Sequence, residues 1–260
     1  MPTVDGPIMS ALGLPRNFLR GHRRAMAQHF SSDESGRFSE IFGVAAAAEL
    51  LAHRVLRPPF IRVVKDRSPI DFTEFSRKGR HGSGVEIVDP YRLMDQFARG
   101  SSIILQGLDE IWLPVEALCR ALENELKLAV HANAYITPPR AQAMPIHTDD
   151  HDVIALQVHG SKTWRTYPPG RSSSSPDASA SNVTLGMGDV LYVPKGAPHV
   201  AASRSESSIH IALAILPSST PLSGGAAGAS DHLDLTDADE LVRRALLAED
   251  PPAEVERATE

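Results

Sequence analysis

Two histidines and one aspartate have the types and spacing that suit a metal ion. His147 and Asp149 are two positions apart, and His199 follows fifty residues after the aspartate, behind the run 188–194. In an extended segment residues i and i+2 point to the same side, so His147 and Asp149 can reach one ion. Two imidazoles and one carboxylate can occupy one face of an octahedral ion and leave the remaining positions open, as in non-haem Fe(II) sites. These residues predict a metal centre with room for a co-substrate and O₂.

Other acidic and histidine residues near this pattern give alternative ligand sets. His151 shares the side of the first two ligands in an extended segment and stays an alternative ligand. Asp150 and Asp152 point to the opposite side, which favours hydrogen bonding or contact with solvent. His131 and His159 have no such spacing and are expected to be ordinary core or surface histidines.

Hydrophobic periodicity divides the chain into a helical first half and a β-rich second half. Helices are predicted over 38–56, 89–98 and 114–126, with strands over 60–64 and 102–105 between them. From about residue 129 the pattern becomes that of strands, over 129–137, 152–158, 162–167, 189–194 and 208–215. The fold class predicted is mainly β with flanking helices and an α-rich N-terminal half.

Side-chain alternation in two of these strands indicates a cavity. In the strand predicted over 129–137, Asn133 and Tyr135 share one face, and in the last strand Ser208 and His210 share one face with two alanines. A solvent-exposed face would produce the same alternation. The alanines have little reason to face solvent, however, and a small, polar lining suits the interior of a barrel.

Composition and turn residues predict four segments. We expect an N-terminal helical segment over 1–37, one main domain over 38–216, a linker over 217–230, and a short helix with an acidic tail over 231–260. The serine-rich stretch 172–181 is expected to be a mobile loop at the mouth of the barrel.

Charge and cysteine content limit the function classes. The formal net charge of −6 gives no general electrostatic reason to bind nucleic acid, and the cluster Arg16, Arg20, Arg23 and Arg24 is typical of a solvated helix face. Cys119 is the only cysteine, which excludes an intrachain disulfide and is compatible with a reducing compartment. The N-terminus has no basic region followed by an apolar core, and no apolar run approaches about 18 residues. We therefore expect a soluble, cytoplasmic protein.

Three motifs in order carry a family resemblance. They are H-x-D at 147–149, G-x-K-x-W-R at 160–165, and G-D-x-L-Y-x-P-x-x-x-P-H at 188–199. Each motif alone is common, but the ordered combination is specific. From roughly residue 38 to 215, the chain resembles the JmjC-type, cupin-like ribosomal oxygenases.

The resemblance implies a double-stranded β-helix, or jelly roll, that binds Fe(II) through His147, Asp149 and His199 and takes 2-oxoglutarate as co-substrate. Lys162, fifteen positions after the first ligand, matches the family lysine that pairs with the distal carboxylate of 2-oxoglutarate. Taken on its own, Lys162 follows a turn-like Gly-Ser pair and would be read as a solvated hairpin residue. A buried dicarboxylate nevertheless needs a cation, which agrees with the family position.

The same resemblance implies further co-substrate contacts. Asn133 and Tyr135 match polar residues that line the pocket, although ordinary hydrogen bonding inside the barrel would explain them equally well. Ser208 and His210 fall on the last core strand, where the family also has co-substrate contacts, and this match is looser. Trp164 is expected to serve packing.

The activity implied is hydroxylation of an unactivated C–H bond of an amino-acid side chain, with O₂ consumed and succinate and CO₂ released. A metal-dependent cupin dioxygenase or isomerase that does not use 2-oxoglutarate is the alternative, because the same three ligands would serve it. A non-catalytic barrel that binds a peptide or small ligand is a third reading.

The resemblance also bears on partners. In the family, a helical dimerisation region and a winged-helix domain follow the barrel, whereas here the linker and one short helix follow Ile215. We therefore expect a peptide, a protein or a small natural product as substrate. The oligomeric state, including a homodimer, stays open.

Overall fold

Antiparallel strands form the centre of the fold. The computed structural model describes residues 8–15, 18–19, 26–79, 84–170, 180–217 and 246–247. The four clustered arginines, most of the predicted serine-rich loop, and nearly all of the predicted linker and C-terminal helix lie outside these residues.

The described residues contain thirteen strands, which we number in chain order. They are β1 (Gln28–Phe30), β2 (Ile61–Lys65), β3 (Ser68–Pro69), β4 (Ser76–Lys78), β5 (Glu86–Val88), β6 (Ser102–Leu105), β7 (Val130–Thr137), β8 (Asp152–His159), β9 (Lys162–Thr166), β10 (Ser181–Leu185), β11 (Val190–Val193), β12 (His199–Ser203) and β13 (Ser208–Ile215). The α-helices are α1 (Ile8–Ala11), α2 (Val44–His53), α3 (Pro90–Ala98), α4 (Leu108–Ile111) and α5 (Leu113–Leu126), and a 3₁₀ helix spans Phe72–Glu74.

Two sheets face each other across an inner core. The larger sheet has the order β1-β11-β8-β13-β7-β6-β2-β3, and the smaller has the order β10-β9-β12. Val153 and Ala155 of β8 and Leu191 of β11 pack with Trp164 of β9 and Leu185 of β10, so the two inner faces meet. This arrangement is the double-stranded β-helix expected from the sequence.

The outer face of the larger sheet is covered by helices. Ile211 and Leu213 of β13 belong to the same buried cluster as Leu51 of α2 and Leu122 of α5, whereas Ala212 packs on the inner side. Alternate residues of one strand thus serve two different cores. The helices bury the apolar face, and the small and polar residues are left to line the interior.

The N-terminal half is mixed rather than α-rich, which corrects that part of the fold prediction. The predicted strand regions became β2 and β6, and both join the larger sheet beside β7. The first predicted helix is shorter than expected, because α2 begins only after Gly43, in extended conformation, and ends at His53. Within residues 1–37, β1 pairs with β11.

Local signals explain the elements that were predicted well. Helix α3 begins where expected, since the Asp89 side chain accepts from the backbone N–H groups of Tyr91 and Arg92, and Pro90 fills the first turn. Strands β1, β10 and β12 have no comparable signal. Among the described residues, no helix has the length and apolar character needed to cross a membrane.

Candidate metal centre and adjoining cavity

The backbone brings the two candidate histidine ligands together. The His147 N–H donates to the carbonyl of His199 (3.1 Å), and the His199 N–H donates to the carbonyl of His147 (2.8 Å). The Gly196 N–H donates to the carbonyl of Asp149 (2.8 Å), so the turn before His199 is tied to the third residue. Three residues from two distant parts of the chain are therefore held together by main-chain hydrogen bonds.

The ring nitrogens of both histidines are oriented by backbone carbonyls. His147 Nδ1 donates to the carbonyl of Pro145 (2.9 Å), and His199 Nδ1 donates to the carbonyl of Ala197 (3.0 Å). A carbonyl oxygen can only accept, so each Nδ1 carries the proton and each Nε2 of a neutral ring has a free lone pair. A carbonyl that fixes the ring in this way is the usual support of a metal-binding histidine.

The three side chains converge on one point. One donor atom from each of His147, Asp149 and His199 lies within 4.8 Å of the others. Asp149 lies 3.9 Å from His147 Nε2 through one oxygen and 3.5 Å from His199 Nε2 through the other. Burial lowers the pKa of His199 and favours the neutral ring that a metal requires.

The alternative ligands considered from the sequence are engaged elsewhere. His151 lines the adjoining cavity, but its Nδ1 is 3.0 Å from the Asp150 carboxylate and it is outside the group of converging donors. Asp152 accepts from the Lys195 N–H at 2.7 Å. His131 lies 3.2 Å from Asp109.

A cavity of about 150 Å³ extends from these ligands into the barrel. Besides the three ligands it is lined by Asn133, Tyr135, Ala143, Met144, His151, Val153, Lys162, Trp164, Ala201, His210, Ala212 and Ala214. His147 and Asp149 are partly exposed, whereas Lys162 and His210 are buried. We call the end with the three ligands the outer end and the end with Lys162 the inner end.

Lys162 is the first residue of β9 and points inward. Its side chain is 1 % exposed, Nζ donates to Thr137 Oγ1 (2.8 Å), and Nζ lies within hydrogen-bond distance of His210 Nδ1 (3.1 Å). No carboxylate among the described residues forms an ion pair with it. Burial lowers the pKa of Lys162 to about 7. The inner end therefore offers a buried amine that lacks a counter-ion.

Stacked rings form one wall of the inner end. Tyr135 and His210 are directly opposite each other on β7 and β13, with ring centroids 4.8 Å apart and planes nearly parallel. Trp164 meets His210 edge-on at 5.2 Å. Burial, reinforced by the Lys162 charge, holds the pKa of His210 well below its ordinary value, and burial raises the pKa of Tyr135. Both rings are thus neutral near pH 7.

Two other predicted contact residues have structural partners. Asn133 lines the cavity, but its Oδ1 accepts from the Gly107 N–H at 3.0 Å. Ser208 is not among the lining residues, and its Oγ accepts from Gln157 Nε2 at 2.8 Å. The pairing of β13 with β8 is irregular here, because Val158 of β8 has no partner between Ile209 and His210, whereas the pairing of β13 with β7 is continuous from Ser208 to Ile215.

Sequence reasoning missed two residues of the cavity region. Thr137 accepts from Lys162, and it continues the alternation of Asn133 and Tyr135 by one more step along β7. Trp164, expected only to pack, lines the cavity, and its buried indole N–H has no acceptor within the described part of the chain.

Comparison with known proteins agrees with this architecture. A JmjC domain model matches residues 111–221, which include all three candidate ligands and Lys162. This part of the chain is similar to the JmjC domain, in agreement with the resemblance to the JmjC-type, cupin-like oxygenases. The resemblance inferred from the motifs is therefore confirmed, and the matched JmjC domain covers the strands that carry the site.

Relatives of this JmjC domain are found among much longer proteins. The chain is 29% identical over 210 residues to the bifunctional lysine-specific demethylase and histidyl-hydroxylase NO66 of Drosophila persimilis, covering 75% of this chain and 29% of that protein. It is 31% identical over 172 residues to the NO66 protein of Dictyostelium discoideum, covering 61% and 33%. The chain thus spans about a third of the length of these curated relatives.

Solved structures show the same fold. The Escherichia coli ribosomal oxygenase YcfD, in complex with cobalt and 2-oxoglutarate, matches with a TM-score of 0.53 and 16% identity. The match covers 88% of this chain and 64% of that one. At this identity the comparison supports the fold of the JmjC domain and not a shared substrate.

Proposed function

We propose that this chain is an Fe(II)- and 2-oxoglutarate-dependent oxygenase that hydroxylates an unactivated C–H bond of an amino-acid side chain. The observation that carries the proposal is the buried, counter-ion-free Lys162 in the same cavity as three converging metal-ligand side chains. The two features are those needed to hold a metal and a dicarboxylate in one small space.

The three outer residues fit the metal. His147, Asp149 and His199 offer two neutral nitrogens and one carboxylate, a donor set that suits Fe(II) and leaves positions for other ligands. The ring orientation is fixed from behind by carbonyl groups, so little rearrangement is required. These residues would hold the ion at the outer end.

The inner residues fit the co-substrate. A dicarboxylate that loses its water must find a cation, and Lys162 is placed to supply it, with Thr137 beside it as a hydroxyl partner. In the alternative, a cupin enzyme that does not use 2-oxoglutarate, Lys162 would have no role and would be free to face solvent. Its complete burial therefore favours the proposed function.

When bound, Fe(II) and 2-oxoglutarate supply with O₂ the oxidising chemistry, in which 2-oxoglutarate becomes succinate and CO₂ and one oxygen atom enters the substrate C–H bond. The chain's own part is positioning. Ala201, Ala212 and Ala214 leave space between the two ends of the cavity, and the rings of Trp164 and Tyr135 form apolar walls that exclude water.

A protein or peptide side chain is the proposed substrate. The NO66 relatives are named histidyl-hydroxylases and lysine-specific demethylases, and YcfD is named a ribosomal oxygenase. We propose that residues 38–216 are the catalytic unit. A cytoplasmic location is part of the proposal, since the single cysteine is compatible with a reducing compartment.

Anaerobic titration tests the proposal. Purified protein is mixed with Fe(II) and then 2-oxoglutarate, and a visible metal-to-ligand charge-transfer band is expected only when both are present. On admission of O₂, succinate should form. A protein that binds Fe(II) but shows neither the band nor succinate would support the alternative cupin enzyme, and one that binds no metal would support the non-catalytic barrel.

A further inference from the structure

The hydrogen-bond partners of Lys162 leave part of its side-chain amine unused at the inner end of the cavity. A protonated lysine has three N–H donors and no acceptor. Two of these donors are used by Thr137 Oγ1 and by His210 Nδ1, and both acceptors are uncharged. One donor is left for a ligand. Lys162 can therefore donate one further hydrogen bond to a ligand carboxylate, and in the free protein no carboxylate of the described residues is paired with it.

The titratable groups around Lys162 come from three strands and from the outer end of the cavity. Tyr135 from β7 and His210 from β13 are both neutral near pH 7, and His199 from β12 acts on His210 as a like charge when protonated. Asp149 is the nearest carboxylate in the cavity lining, and its field acts on Tyr135. Loss of solvation is the one cause that acts on Lys162 itself. The charged form of Lys162 is therefore opposed by burial and supported by no anion in the described residues.

We infer that the buried amine of Lys162, which has two uncharged partners and no carboxylate beside it among the described residues, is largely neutral in the free protein and takes up one proton as 2-oxoglutarate binds, with His210 as the residue that positions it. This inference rests on the proposed function. The proton is taken from solvent, the amine becomes an ammonium ion, and the carboxylate of the ligand becomes its counter-ion.

The physical reason is a change of environment on binding. A buried amine with two neutral acceptors loses the energy of hydration without recovering it, so the neutral form is favoured. A carboxylate within hydrogen-bond distance reverses this preference. The pKa of about 7 in the free protein agrees with this description. Above that pH, affinity for 2-oxoglutarate should fall by up to about tenfold per pH unit, because the proton must be supplied from a solution in which it is scarcer.

Calorimetry measures the proton directly. The Mn(II)-loaded protein, which does not turn over, is titrated with 2-oxoglutarate at pH 6 in MES and in Bis-Tris and at pH 8 in HEPES and in Tris, each a pair of buffers whose ionisation enthalpies differ. The dependence of the observed heat on buffer gives the number of protons taken up. We expect close to one at pH 8 and a much smaller number at pH 6.

Three variants separate Lys162 from other sources of protons. Lys162→Arg keeps a permanent charge, because arginine does not deprotonate, and should bind without proton uptake at pH 8. Lys162→Met should lose both the uptake and most of the affinity. Lys78→Met, an exposed lysine on β4, should behave as the wild type.

His210 has its own signature as a positioning residue. His210→Phe keeps an aromatic ring against Tyr135 but removes the Nδ1 acceptor of Lys162. With one acceptor fewer, the ammonium form is less supported, so the pH at which affinity begins to fall should move downward. A residue with a merely structural role would weaken binding equally at all pH values.

A second measurement needs no ligand. The chain has five lysines, so the ¹³Cε NMR signals of labelled protein are few enough to assign by variants. One signal, missing in Lys162→Met, should titrate near neutral pH in the free protein. A Lys162 signal that titrates near 10 would overturn the inference, as would tight 2-oxoglutarate binding without proton uptake at pH 8. Absence of any 2-oxoglutarate binding would overturn the proposed function as well.

Discussion

The outer and inner ends of the cavity hold their functional groups by different means. At the outer end His147 and His199 are paired through main-chain hydrogen bonds, and their rings are fixed by carbonyl groups. At the inner end Lys162 is held by two side chains, Thr137 and His210. Main-chain support makes the outer end insensitive to most neighbouring side chains, whereas the charge state of the inner end depends on its neighbours.

Loss of a metal ligand should cause the largest change, a loss of metal affinity at the outer end. His199→Ala is expected to weaken Fe(II) or Mn(II) binding by more than about a hundredfold. Mutation of a group that only hydrogen-bonds to a metal ligand already lowers metal affinity by roughly 10–100-fold, and loss of the ligand itself should lower it further. Equilibrium dialysis followed by metal analysis measures this change. His131→Ala, on the same face of β7 as Asn133 but bonded to Asp109, is the control and should bind metal normally. Equal metal binding by His199→Ala would remove the outer end from the proposed site.

Loss of the Lys162 cation should weaken 2-oxoglutarate binding at the inner end and leave metal binding at the outer end nearly unchanged. Lys162→Met is expected to reduce 2-oxoglutarate affinity by about a hundredfold, the order expected for a charge-assisted hydrogen bond to a desolvated carboxylate. Metal affinity should change by less than about threefold, because the outer ligands are held by the main chain. Both constants come from Mn(II) and 2-oxoglutarate titrations of one preparation. Parallel losses in both would show that the ends are not independent.

The turn that introduces Lys162 should matter for stability. Gly160 has φ +60°, and a Cβ there would lie 2.0 Å from the carbonyl oxygen of Ser207. Gly160→Ala should therefore lower the free energy of unfolding by about 3 kcal/mol. Gly170→Ala is a matched control, since Gly170 also has positive φ but nothing lies within 4 Å of the added atom, and about 1 kcal/mol is expected. Denaturant melts give both values, and equal losses would contradict the packing argument.

The smallest expected effect is a dependence of stability on pH. The pKa of Lys162 is about 7 in the folded chain, below the unfolded value of 10.5, so between these values the unfolded state binds more protons. Stability should then rise with pH above 7, by at most about 1.4 kcal/mol per unit. Burial raises the pKa of Cys119, which opposes this trend above about pH 9.

Melts at pH 7 and 8.5 therefore give the useful comparison. The Lys162 contribution is the difference between the slope of the wild type and that of Lys162→Met, since other groups are common to both proteins. An unchanged slope in the variant would indicate that the lysine is charged in the folded state.

The sequence was most informative where chemistry and alternation agree. The motifs predicted the family resemblance and the barrel, and the alternation on β7 and β13 predicted that Asn133, Tyr135 and His210 face the cavity. Thr137, the last residue of β7, lies one step beyond Tyr135 on the same face, so the same alternation includes it.

Other features depend on contacts that sequence patterns do not contain. Lys162 follows a turn, which favours a solvated position, yet β9 is the central strand of the smaller sheet and points that side chain inward. Strand β12 is rich in small residues, and its pairing with β9 defines it. Ser208 lies outside the cavity lining, where its hydroxyl accepts from the buried Gln157 side chain, a long-range contact that local propensity does not predict.

The backbone pair between His147 and His199 also links ligand geometry to local opening of the chain. Both amides donate across segments separated by more than fifty residues, so neither amide can exchange with deuterium until the segments part, and their parting also disperses the ligands. A metal ion that binds only while the two segments are paired must therefore slow exchange at these two amides. The exchange rate should fall as the ratio of the free ion concentration to its dissociation constant rises. The two amides would report metal occupancy directly, without any measurement of turnover.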